Sequence, residues 1–97
     1  MTRYISLLRF TEQGAKNIQK STGRAHHFDK IAAKAGVKIE GQYWTMGAYD
    51  GVLILSANSE KKALRCLPQL AAQGNVRTET MSAFIDEEFD DIVIKLK

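Results

Sequence analysis

The sequence predicts an α+β fold, a four-stranded antiparallel sheet with its main helices on one side, and three observations lead there. Apolar residues recur with the two-residue period of strands in some stretches and with the three-to-four-residue period of helices in others. Cap and turn residues separate these stretches. Two of the predicted strands are apolar on both faces, which marks them as central.

Residues 2–10 read as a strand, with Tyr4, Leu8 and Phe10 on one face and Ile5 and Leu7 on the other. Thr11 offers a side-chain oxygen to cap a helix, and Glu12 sits in the first turn, where the helix dipole favours an acid. The helix is expected to run to residue 35, with Gly36 as its left-handed stop. Ser21, Thr22 and Gly23 are its weak spot, and a kink is expected there because Gly costs about 1 kcal/mol relative to Ala. Residues 37–46 form the second strand, in which Val37, Ile39 and Tyr43 alternate with Lys38, Glu40 and Gln42. Gly47-Ala48 reads as a two-residue type II′ hairpin connection. Residues 49–57 form the third strand, and its Val52-Leu53-Ile54-Leu55 run is apolar on both faces. Ser59 caps a second helix that carries Ala63, Leu67, Leu70 and Ala71 on one face, contains Pro68 and ends at Gly74. Residues 76–84 form the fourth strand, with Val76, Thr78, Thr80 and Phe84, or their neighbours, towards the core in alternation with Arg77 and Glu79. Asp86 then caps a terminal helix whose Phe89, Ile92, Val93 and Leu96 share one face.

The order β-α-β-β-α-β plus a short C-terminal helix is the ferredoxin-like arrangement, with sheet order 4-1-3-2 in a single domain over residues 1–97. That topology centres the first and third strands, the two that are apolar on both faces. Two helices cover only one face of such a sheet, so the other would expose a large apolar patch. A homodimer, or a higher homo-oligomer built through the open sheet face, is therefore expected. The alternative is that the terminal helix folds back over that face.

Composition narrows the function classes. The 97 residues are 44% apolar and hold 14 Lys plus Arg against 11 Asp plus Glu, a net charge of +3. The apolar fraction is too high for a disordered chain. The longest apolar run, residues 52–55, is far below the roughly 20 residues of a membrane span. One cysteine, Cys66, and no signal-peptide core lead to the expectation of a cytoplasmic protein without a membrane partner. The positive charge is uneven. Residues 15–38 contain six Lys or Arg and one acid, whereas residues 86–97 contain five acids and two lysines. Nucleic acid is not expected as a partner, because the third strand offers Val52, Leu53, Ile54 and Leu55 where an RNA-binding sheet of this topology stacks bases on aromatics.

The series Thr11-x-x-Gly14-x-x-x-Ile18, Arg24, Gly36, Tyr43-x-Thr45-x-Gly47-x-Tyr49-Asp50 and Gly74-x-Val76-x-Thr78-x-Thr80-x-x-Ala83 resembles the GYD domain family of small bacterial proteins, over almost the whole chain. The sequence departs from the pattern at Gly23-Arg24, where relatives often place Pro. The resemblance implies a ferredoxin-like domain that associates as the dimeric α/β-barrel proteins do. It implies no assigned biochemical activity.

Among residues able to carry chemistry, Arg24 stands out, because it falls near the middle of the buried side of the first helix, one turn before Phe28. A buried guanidinium needs a carboxylate or carbonyls, and Asp50 at the start of a central strand is the expected partner. That pair is read either as a structural pin or as part of a binding site. If a small organic ligand is held between the first helix and the sheet, Arg24, His27, Trp44, Tyr49 and Asp50 are the candidate binding residues. An alternative is a cofactor-independent enzyme of the dimeric α/β-barrel kind, monooxygenase- or isomerase-like, acting on an aromatic or quinone-like substrate, in which Trp44 and Tyr49 wall the cavity and His27 or Asp50 moves a proton. A third reading is a structural or regulatory interaction protein that uses the open sheet. No cofactor is expected and no metal, because adjacent residues such as His26 and His27 point about 100° apart on a helix.

Overall fold

The computed structural model describes residues 1–94. Its elements run β1 (Thr2–Phe10), α1 (Glu12–Lys16), a 3-10 turn (Ile18–Lys20), α2 (Ser21–Lys34), β2 (Val37–Trp44), β3 (Gly51–Ala57), α3 (Glu60–Ala72), β4 (Val76–Ala83) and α4 (Asp86–Ile94). The strands form one antiparallel sheet of order β2-β3-β1-β4, the ferredoxin-like order read from the other edge. Leu96 of the expected terminal helix lies outside the described residues.

The core lies between the helices and one face of the sheet. Alternation along β1 points Tyr4, Ser6 and Leu8 towards the helices, and β3 places Leu55, Leu53 and Gly51 directly opposite them. Phe28 and Ala32 of α2 and Ala63 and Cys66 of α3 complete the buried cluster. Ser6 is buried without loss, because its hydroxyl meets Thr80 Oγ1 at 2.9 Å across β1 and β4.

Four local expectations are corrected. The first helix breaks at Asn17, with φ −107° and ψ 29°, whereas Ser21, Thr22 and Gly23 form the first turn of α2. The Asn17 carbonyl is taken by Lys20 N at 3.0 Å and by Arg24 Nη1 at 2.8 Å, so the chain is held out of α-helical pairing there. The second strand ends at Trp44 and the third begins at Gly51, so the connection is not a two-residue turn. Thr45 N donates to Asp50 O at 2.9 Å and Thr45 Oγ1 to Tyr49 O at 2.7 Å, closing a wider loop with Gly47 at φ +111°. A bulge at Glu40 shifts the register between Ile39 and Gly41. It moves Tyr43 off the face that holds Val37 and Ile39 and turns Gln42 and Trp44 towards the helices instead. Phe84 lies beyond the end of β4 and is exposed rather than in the core.

The terminal helix does not close the sheet. α4 has no buried residue, and Phe89 and Ile92 on its apolar side are 56% and 47% exposed. It starts where Ile85 N donates to Glu88 Oε1 at 2.9 Å, and Arg3 Nη1 lies 3.7 Å from that same oxygen. Among the described residues no helix is long and apolar enough to cross a membrane.

Candidate functional site

The bulge at Glu40 helps to shape the site. With Gln42 and Trp44 on the helix side, a partly open cavity of about 80 Å³ forms between α2 and the sheet. Leu8, Phe10, Phe28, Leu53 and Val76 make it apolar, and the half-exposed Trp44 also lines it. Gln42 is a further lining residue, and its side-chain amide donates to Asp29 Oδ1.

Arg24 lines the cavity as well, but its partners are not those expected. Nη1 donates to Asn17 O at 2.8 Å and Nη2 to Ser21 Oγ at 3.1 Å. Asp50 is used elsewhere. Its Oδ2 accepts from Phe10 N at 2.8 Å, while Asp50 N donates to Leu8 O at 2.8 Å. The carboxylate thus supplies an acceptor where the β1–β3 ladder ends at Leu8 and Gly51. Among the described residues no ion pair joins Arg24 and Asp50. The two side chains thus bond to different parts of the chain.

The remaining candidates are dispersed. His27 is exposed and lines a shallow neighbouring hollow with Lys20, Arg24 and Gln73. Tyr49 donates from its hydroxyl to Glu79 Oε2 at 3.0 Å, and its ring lies 4.7 Å from Arg9 Cζ. The cavity therefore brings together Arg24 and Trp44 but not His27, Tyr49 or Asp50. Among the described residues no three His, Cys, Asp or Glu side chains gather as a metal site requires. Burial pushes the Cys66 thiol up to about 11.

Four of the motif residues, Thr11, Gly14, Gly36 and Gly74, help to build a frame. Thr11 Oγ1 accepts from Gly14 N at 3.1 Å and donates to Gly74 O at 2.6 Å, while Thr11 N donates to Asn75 O at 3.1 Å. Gln13 Nε2 reaches Gln73 O and Asn75 Oδ1, both at 3.0 Å. The β1–α1 and α3–β4 turns are thereby clasped together beside the cavity. Gly36 and Gly74 follow α2 and α3 at φ +80°, a conformation that costs a side chain dearly.

Residues 4–93 match the GYD domain. The chain belongs to the GYD domain family. It is also similar, at 29% identity over 98 aligned positions and the full length of both proteins, to a Thermus thermophilus protein named "Glutamine synthetase and cystathionine beta-lyase binding protein". No solved structure matches the chain.

In this GYD domain the second surface of interest is the sheet face turned away from the helices. Ile5 and Leu7 of β1 lie beside Ile54 and Val52 of β3, and the exposed Tyr43 and Met81 flank them. The sequence singled out this patch through the two-sided strands. It did not reveal that Tyr43 joins it, because only the bulge puts Tyr43 there. Nor did it reveal the charged end of the face, where Arg9 and Arg77 are direct register partners.

Proposed function

We propose that this GYD domain is a protein-binding module that pairs with a second copy of itself through the open sheet face and engages enzymes as partners. The observation that carries the reading is that face, with the apolar side chains of two central strands uncovered by the chain's own helices. Patches of this kind mark association surfaces. The name of the Thermus relative supports enzymes as the partner class, since that protein is named for binding two of them.

A small organic ligand in the α2–sheet cavity is the second reading, supported by apolar walls and by Arg24, whose guanidinium has N–H groups beyond the two already engaged. Size argues against ranking it first. An apolar cavity of about 150 Å³ takes benzene, and this one is about half that. An aromatic substrate would therefore require Trp44 to swing outward.

Sedimentation equilibrium tests the pairing. The chain is expected to be a dimer at high micromolar concentration, and Ile54→Glu to be a folded monomer by circular dichroism. A monomeric parent chain would overturn the homodimer. Calorimetric titration into purified glutamine synthetase and cystathionine beta-lyase tests the enzyme partners, and heat that saturates with neither removes those two.

A further inference from the structure

Two regions of the surface are out of balance in opposite senses. α4 carries Asp86, Glu87, Glu88, Asp90 and Asp91 and no basic residue within its nine. Phe89 and Ile92 on its apolar side, and Ile85 just before its first turn, are exposed. At 100° per residue Asp86 and Asp90 border that stripe on one side and Glu88 on the other. Glu88 is engaged with Ile85 N and Arg3.

The opposite imbalance lies at the far end of the open sheet face. Arg9 of β1 and Arg77 of β4 stand directly opposite each other, with both side chains on that face. Like charges in this position are destabilising unless an anion joins them. Among the described residues neither has an ion-pair partner. Arg9 lies against the Tyr49 ring, and Glu79, the next acid along β4 on that face, accepts the Tyr49 hydroxyl.

A single copy cannot bring the two regions together. α4 starts beside Arg3, and Arg9 lies six positions further along β1, about 20 Å away at roughly 3.4 Å per residue. A second copy can. Two sheets that face each other across a two-fold axis have that axis in the plane between them. With the axis across β1, the strands of the two copies run in opposite directions and the Arg3 end of one lies over the Arg9 end of the other. With the axis along β1, the two acidic α4 helices are brought to the same end. Electrostatics selects the first arrangement.

Area points the same way. Four strands of seven to nine residues, about 4.8 Å apart, cover roughly 520 Å² per copy, which leaves the pair below the ~1,600 Å² of a standard interface. The apolar side of α4 can add to it.

Resting on the homodimer reading above, we infer that α4 is an arm exchanged between two copies of this chain. Its Ile85–Phe89–Ile92 stripe packs on the second copy, and Asp86 and Asp90 pair with Arg9 and Arg77 of the partner subunit.

Charge exchange in the full chain tests this. Arg77→Glu alone and Asp90→Lys alone are each expected to raise the dimer dissociation constant at least about tenfold at low salt, since each affects two symmetric contacts. The double variant is expected to return to within about threefold of the parent, and Lys34→Glu on the exposed side of α2 to leave the constant unchanged. In parallel, a chain carrying Asp90→Cys mixed with one carrying Arg77→Cys is expected to give a disulfide-linked dimer on mild oxidation, with Cys66 buried and silent. A monomeric parent removes both the homodimer and the arm. A dimer that Ile54→Glu dissociates, but in which the double variant is not restored and the mixed disulfide does not form, keeps the sheet interface and overturns the arm.

Discussion

Replacing Gly14 by Ala puts one methyl group where the structure leaves no room. A Cβ there would lie 2.0 Å from the Asn75 carbonyl oxygen and 2.9 Å from its carbon, both backbone atoms that cannot rotate aside. The two turns must separate by roughly 1 Å to restore van der Waals contact. That movement strains the clasp they share, in which Thr11 N donates to Asn75 O and Thr11 Oγ1 to Gly74 O. Overpacking of this sort costs about 1–3 kcal/mol and each weakened hydrogen bond about 1 kcal/mol, so a loss of about 3 kcal/mol is expected. For a domain of this size that is a fall in Tm of about 12–24 °C. Gly23→Ala is the control. It adds the same methyl group inside α2, where nothing lies within 4 Å, and should stabilise by about 0.5–1 kcal/mol through helix propensity. Urea unfolding followed by circular dichroism reads both changes. If Gly14→Ala lies within about 0.5 kcal/mol of the parent, roughly the scatter of a surface substitution, the clasp is not rigid and the reasoning fails.

Two further outcomes follow from the same contacts. Asp50→Ala removes the acceptor of Phe10 N and is expected to cost about 1–2 kcal/mol, whereas Asp50→Asn, which keeps an oxygen able to accept, should cost less. Equal losses in urea unfolding would mean that charge, not acceptance, matters at Asp50. Cys66 should not react with a thiol reagent in the native protein, and its titration makes stability depend on pH. The folded-state pKa is raised from 9.0 to about 11, so burial favours the neutral thiol. Its contribution is complete below pH 9 and is lost as pH rises through 11, by about 2–3 kcal/mol at most. Cys66→Ala should flatten that part of the stability profile, and an unchanged slope would refute the assignment.

The sheet was legible in the sequence because its signals are local and repeated. Two-sided apolar strands at 2–10 and 49–57 can only be central, and Ser59 and Gly74 mark helix ends by their own backbone preferences. What the sequence hid depends on contacts between distant residues. The break at Asn17 is stabilised by a guanidinium seven residues away, and the 45–50 loop by Thr45 and Asp50 acting across it. The bulge at Glu40 has no compositional mark, yet it decides that Trp44 faces the cavity and Tyr43 the open sheet. The candidate site followed the same division. The angle on the helix singles out Arg24, but its partners differ from the expected Asp50 because a backbone carbonyl, Asn17 O, and the nearby Ser21 hydroxyl take its guanidinium. Periodicity shows which side chains are buried, not which carbonyls are left over.

The motif residues and the available surfaces divide the molecule between them. Thr11 and Gly14 are in the clasp, Gly36, Gly47 and Gly74 supply left-handed backbone, and Thr80 satisfies the buried hydroxyl of Ser6. Each of these shapes or fixes the frame. Asp50 was the motif residue with the strongest claim to chemistry, and its carboxylate completes a strand ladder. In this chain those residues therefore bear on the fold and not on a reaction. What the frame displays is largely a different set of side chains, Ile54 on the open face, the Arg9–Arg77 pair at its end and the acidic, apolar-striped α4, with Tyr43 a motif residue that reaches the open face. On the protein-binding reading proposed above, a chimera that keeps Thr11, Gly14 and the turns they join but carries the open face and α4 of another GYD domain should take on the binding of the chain that supplied the surface.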